Sequence, residues 1–161
     1  MTRSLTETEI RSILIPVTQG NLLLPNANIA EIVAYSAPER SDDSPAWLLG
    51  NVIWQGWQVP VISFPVLTEQ AASESIDDGK ICISKCLIEN ERLPYIGLLA
   101  QGFPRLVTIT EALMTEIPDS AQHIAVAGEV RVGDQQAAIP DLHRLGQLVA
   151  HAMFGTLPLA G

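Results

Sequence analysis

The chain has 161 residues, 47% hydrophobic and 17% charged, with a formal net charge of −9. That is enough chain for one domain with a real core, and its acidity disfavours nucleic acid and anionic lipid headgroups as partners, since both attract basic surface. Eleven glycines and eleven prolines point to many short elements and turns rather than a helix bundle.

The start, MTRSLTETEIRS, is polar and lacks an apolar run of signal-peptide length, and no stretch reaches membrane-spanning length without a charge or a turn. A cytoplasmic chain without direct membrane insertion is expected. Residues 13–17 and 21–24 read as two strands joined around Gln19-Gly20. Residues 28–35, NIAEIVAY, either extend the second strand or bend into a third, and residues 36–46 form a polar loop bounded by prolines.

The stretch LLGNVIWQGWQVPVISF, residues 48–64, is apolar on both sides of a Gln-Gly pair. With Gln55-Gly56 at the centre of a hairpin turn, Trp54 faces Trp57, Val52 faces Val59 and Gly50 faces Val61. Leu49, Ile53 and Ile62 then lie on the opposite face with Gln58. Both faces are apolar away from the turn, as in a hairpin held inside a barrel or between two packed units.

A polar, acidic connection, part helix and part loop, leads to a second strand pair in KICISKCLIENERLPYIGLL, which turns near Asn90-Glu91. TITEALMTEIPDSAQ predicts a short helix, with Thr108 and Glu111 as a capping box and Pro118 as its stop. HIAVAGEVRVGDQQAAIPDL then repeats the first hairpin. A slide of 78 positions carries Gly50 onto Gly128, Val52 onto Val130, Gln55-Gly56 onto Gly133-Asp134 and Phe64 onto Leu142. The preceding segments match more loosely, so the pattern predicts an internal duplication of a small β unit. Asp141 opens a final helix over residues 141–153, with Leu142, Leu145, Val149, Ala152 and Met153 on one face. The tail beyond Phe154 is expected to be loose.

Candidate chemistry is sparse. Cys82 and Cys86 fit a reducing compartment. On a strand they stand about 13 Å apart, too far for a disulfide or a shared zinc ion. Half-buried free thiols are expected. DSAQH, residues 119–123, holds Ser, His and Asp together without a nucleophile elbow, and a solvated loop is the expected reading. His143 and His151 lie two turns apart on the last helix, too far for one ion. No phosphate-binding glycine loop, metalloprotease motif or calcium-loop spacing occurs.

NIAEIVAY, the proline-bounded loop, SPAWLLGNVIWQGWQVPVISF and the weaker copy VAGEVRVGDQQAAIPDL together resemble the CheW-like domain of bacterial chemotaxis coupling proteins. The likeness runs from Ile13 to Leu142. It implies a mostly β fold of two SH3-like five-stranded β-barrel subdomains around a shared core, with short helices between them and at the C-terminus. The chain would form a single domain over residues 1–161, with subdomain-like halves at about 13–64 and 80–142.

The resemblance also implies a non-catalytic adaptor without a cofactor or metal. Its partners would be the regulatory domain of a CheA-type histidine kinase, the helical-hairpin tip of a chemoreceptor in a groove between the subdomains, and other CheW-like proteins. The family's partner-contact strand falls on Ile29 and Glu31, and its hairpin-opening glycine on Gly50. Its arginine before the turn glycine falls on Gln55, which cannot make a charged fork to a carboxylate. Ile53-Trp54 replaces the family's Asn-Leu. These departures, with Trp54 and Trp57 flanking the turn, look like the divergent ChpC-like accessory coupling proteins of type IV pilus chemosensory systems. Trp54 and Trp57 are read both as partner contacts and as hairpin packing, and Glu31 both as partner contact and as solvated strand face. The alternative to an adaptor is a small β-barrel enzyme or ligand-binding domain, with the polar loop after Phe64 as a lid.

Overall fold

The computed structural model describes residues 9–118 and 123–155. Asp119 and Ser120 of the DSAQH grouping, the polar residues 1–8 and the tail 156–161 lie outside the described residues. The elements in chain order are β1 (Ile10–Val17), β2 (Gly20–Pro25), a 3-10 turn at Asn26–Asn28, β3 (Ile29–Ala34), β4 (Leu48–Trp54), β5 (Trp57–Ile62) and α1 (Phe64–Leu67). Then come β6 (Lys80–Lys85), β7 (Tyr95–Ala100), β8 (Arg105–Ile109), β9 (Met114–Ile117), β10 (Val126–Val132), β11 (Gln135–Pro140) and α2 (Leu142–Phe154). They build a six-stranded sheet, ordered β8-β1-β2-β11-β10-β9, and a five-stranded sheet, ordered β3-β6-β7-β5-β4.

Residues 28–35 thus bend into a third strand, and that strand joins the other sheet. The same crossing occurs again where β7 in the five-stranded sheet leads to β8 in the six-stranded one. Neither sheet coincides with one of the sequence halves 13–64 and 80–142. Hairpin β1–β2 completes the sheet of β8–β11, and hairpin β6–β7 completes the sheet of β3–β5.

The repeat is reproduced in detail. Trp54 pairs with Trp57 and Val52 with Val59, and Val132 pairs with Gln135 and Val130 with Ala137. Each hairpin carries a register shift two residues before its glycine, between Leu48 and Gly50 and between Val126 and Gly128. Each returning strand then runs parallel to a strand of the exchanged hairpin, β5 beside β7 and β11 beside β2. Even the helix starts correspond. The Ser63 hydroxyl accepts from the Val66 N–H, and the Asp141 carboxylate accepts from the Arg144 N–H. The sixth strand is the main departure from five strands per unit. β9 lies along β10, whereas at the matching place beside β4 only the bridge Glu39–Asn51 forms.

The helix expected after Thr108 is not formed. Thr108 lies in β8 opposite Arg11, and Met114–Ile117 pair with β10. Between them the Leu113 and Met114 N–H groups donate to the Thr110 carbonyl. An isolated helix of this length is marginal, whereas two sheet edges offer ladder partners to every second residue and bury Ile109. The C-terminal helix forms as expected, with Leu145, Val149 and Ala150 on the core.

Alternation along the central strands divides the interior into three. Leu14, Leu23, Val130 and Ala137 fill the six-stranded sheet, and Val59, Val61, Ile81 and Leu99 fill the five-stranded one. The intervening residues Ile13, Ile15, Leu24, Ile62, Cys82 and Leu98 meet in a core shared by both sheets and α2. Strands buried on both faces read as unbroken apolar runs, which accounts for the two apolar faces of residues 48–64.

Gly50 is where the chain passes itself most closely. Its φ is +131°, and a β-carbon there would lie 2.5 Å from the Glu39 carbonyl oxygen and 2.9 Å from the Pro38 side chain. Its counterpart Gly128 has open space. Gly50→Ala should therefore cost about 2 kcal/mol or more, while Gly128→Ala should be close to neutral. Chemical denaturation of the two variants checks this.

Candidate functional site

The Gln55-Gly56 turn stands at one end of the five-stranded sheet. Gln55 has φ 47° and Gly56 φ 82°, the pair of positive values that a type I′ turn needs to match strand twist. Trp54 and Trp57 oppose each other across it, as expected from the sequence. Their ring contacts, however, run through Tyr95 at the start of β7. The Trp54 ring lies 4.9 Å from Tyr95 with an interplanar angle of 73°, and Trp57 lies 6.2 Å away at 63°. Edge-to-face aromatic contacts of this kind are worth about 0.5–1.5 kcal/mol each beyond burial.

Trp54 also donates from Nε1 to Glu31 Oε1 at 2.8 Å. Glu31 is on β3 and Trp54 on β4, the two edges of the sheet. The bond therefore draws the edges together and closes the sheet at this end. Trp57 remains 43% exposed and the neighbouring Ile53 70% exposed. A large aromatic and a β-branched side chain thus face solvent from opposite faces of the hairpin.

The structure brings Glu31, Trp54 and Trp57 together, with Gln55 exposed on the turn beside them. It separates the other two predicted residues. Ile29 lies across a register shift from Glu31 and packs against the shared core. Gly50 is buried at the far end of β4 beneath Glu39 and Pro38. Sequence reasoning missed Tyr95. The one available signal was an aromatic opening an apolar strand; its meeting with the tryptophans depends on β7 lying beside β5, a long-range parallel pairing.

A second feature lies where the sheets meet. An open groove of about 420 Å³ runs between the β1–β2 turn, α1 and hairpin β10–β11. Thr18, Asn21, Phe64, Pro65, His123 and Ala138 are among its walls. The connection after α1 crosses beside it and is bolted down. The Ser63 hydroxyl donates to Glu74 Oε1 at 2.6 Å, and the Thr18 N–H donates to Glu74 Oε2 at 2.9 Å.

Groups capable of chemistry are dispersed. His143 and His151 are exposed on α2, and His123 Nδ1 accepts from the Ala125 N–H at 3.0 Å. Among the described residues no three His, Cys, Asp or Glu side chains gather to hold a metal ion. No described helix is long and apolar enough to cross a membrane. Cys82 is on β6 and Cys86 just beyond it, and both are free thiols. Burial in the shared core pushes the Cys82 thiol up to about 12. Burial also raises Cys86, opposed in part by backbone hydrogen bonds from the Ile88 and Leu87 segment. A raised thiol stays protonated, and only the thiolate is nucleophilic. In native protein at pH 8, iodoacetamide should modify Cys86 slowly and Cys82 more slowly still, both accelerating in denaturant. Peptide mass mapping over time checks that order.

Residues 11–149 match the CheW-like domain family. No curated protein matches the sequence. Among solved structures, the scaffolding protein TtCheW from Thermoanaerobacter tengcongensis superposes with a TM-score of 0.71 over 90% of this chain and 92% of its own, at 17% identity. That likeness is one of fold.

Proposed function

We propose, on the premise that the chain belongs to the CheW-like domain family, that it is a non-catalytic coupling adaptor in bacterial chemosensory signalling. The observation that carries this reading is the aromatic end of the five-stranded sheet. Trp54, Trp57 and Tyr95 form a cluster on one face of the hairpin, with Trp57 43% exposed. Preorganised aromatic anchors on a β scaffold suit protein docking, because little side-chain freedom is left to lose on binding.

The kinase partner is assigned to this cluster: the regulatory domain of a CheA-type histidine kinase, itself CheW-like in the family's pattern. The groove beside α1 is assigned to the helical-hairpin tip of a chemoreceptor. Groove and cluster share no residue, so both partners can be held at once, as coupling requires. The groove is partly open to solvent, which suits a polypeptide better than a fully enclosed small ligand. The protein would work in the cytoplasm, recruited to membrane-associated receptor arrays, where other CheW-like proteins are further partners.

Gln55 narrows the proposal. The family's arginine is absent from an exposed turn position, so the charged contact it would make is replaced by the neighbouring aromatic surface. This supports placement among the ChpC-like accessory proteins of type IV pilus chemosensory clusters, acting in twitching motility.

The test is co-elution with the chemosensory kinase regulatory domain encoded in the same genome. Wild type should bind, Trp57→Ala should weaken binding roughly thirtyfold, the usual size of a hot-spot loss, and Gln55→Arg should alter affinity with the fold intact. Wild-type affinity in both variants would remove the cluster as the docking surface. Failure of wild type to bind kinase, receptor tip or another CheW-like protein would remove the adaptor reading.

A further inference from the structure

We infer that Glu74 is the positioning residue of the groove: its carboxylate ties the two walls together and so sets the shape offered to a partner. The inference rests on the adaptor reading for the identity of that partner. Glu74 is half-buried, in the connection between α1 and β6. Its two oxygens serve donors from different sheets. Thr18 is at the tip of hairpin β1–β2, in the six-stranded sheet, and itself lines the groove. Ser63 is wholly buried, follows β5 of the five-stranded sheet, and immediately precedes the groove residues Phe64 and Pro65.

Hydrogen bonds to an ionised acceptor are stronger than neutral ones, and here each oxygen has its own donor. The neighbouring contacts reinforce the same crossing. Gln101 donates from Nε2 to the Ser75 carbonyl at 2.7 Å and from its backbone N–H to the Pro16 carbonyl at 2.8 Å. The connection is therefore a strap held at its start by α1, where the Gln70 and Ala71 N–H groups donate to the Pro65 carbonyl, and at its middle by Glu74 and Ser75.

The strap adds little to the core. Around Glu74 it carries Ala72, Ser73 and Ser75, all exposed, and none of its residues from Thr68 to Asp78 belongs to the three buried clusters. Loss of the Glu74 bonds should thus loosen the walls while leaving the interior packed. That separates positioning from general stability. It also recasts the connection after Phe64. The sequence allowed it to be a lid, whereas the bonds make it a fixed brace.

The experiment uses the full chain with Glu74→Gln and Glu74→Ala. Glutamine keeps the size but loses the charge, and its amide can still bond to both the Thr18 N–H and the Ser63 hydroxyl, so it is the mild variant and alanine, which removes both bonds, the decisive one. Hydrogen exchange at the Thr18 amide should accelerate roughly tenfold or more in Glu74→Ala and less in Glu74→Gln, while amides of β7 and β10 keep their protection. Affinity for a helical-hairpin fragment of the receptor tip from the same genome should fall roughly tenfold, and affinity for the kinase regulatory domain should stay within about twofold. Unchanged Thr18 exchange in Glu74→Ala would overturn the inference. So would a parallel loss of both affinities with a general loss of protection, since that marks a merely structural residue. If wild type bound no receptor fragment, the adaptor reading would fail at the groove; Thr18-specific acceleration would still establish Glu74 as the tie between the walls.

Discussion

The constraint on which the structure depends is that the central strands must bury both faces. A hairpin such as β6–β7 has Ile81 and Leu99 on one side and Cys82 and Leu98 on the other. One sheet curled on itself covers only one of those faces. The other face needs the second sheet, and the shared core supplies it. The exchange of hairpins strengthens this dependence. β1–β2 comes from the first part of the chain and completes the sheet of the second, while β6–β7 does the reverse. Neither sheet is whole without the other half of the sequence, so the duplicated units are bound into one domain.

That arrangement decides where function can sit. The interior faces and α2 are committed to packing, which leaves sheet ends, edges and the seam between sheets. At one sheet end the Trp54–Glu31 bond closes the edges and Tyr95 contacts both tryptophans, leaving Trp57 partly exposed. At the seam, Glu74 spans from Ser63 to Thr18 beside the groove. The two surfaces are held by different means, one by aromatic packing and the other by a charged acceptor, and they share no residue. On the proposed reading, these are the two surfaces that would hold the adaptor's two partners.

Much of the fold was legible in the chain. The turns at Gln55-Gly56 and Gly133-Asp134 and the slide of 78 positions are local signals, and the register shifts and helix caps repeat at the same spacing. What failed were inferences in which a local rule competed with a distant partner. Thr108 and Glu111 have capping-box spacing, yet β1 captures Thr108 in β8, β10 captures the chain from Met114, and Glu111 is left in the turn between them. The resemblance placed Gly50 among the docking positions without showing which face it occupies; the structure places it beneath Glu39. Tyr95 offered only an aromatic opening an apolar strand, and Glu74 offered nothing, because the partners that define them lie across the fold, Thr18 being 56 residues from Glu74.

The central claim, that both sheets form one cooperative unit around a shared core, is tested most directly by equilibrium unfolding followed with two probes. Tryptophan fluorescence reports the five-stranded sheet and the shared core, because Trp54 and Trp57 flank its turn and Trp47 packs on that core. Far-ultraviolet circular dichroism reports both sheets. The account predicts coincident transitions with a single midpoint. Two separated transitions, with fluorescence lost while half of the strand signal persists, would contradict it.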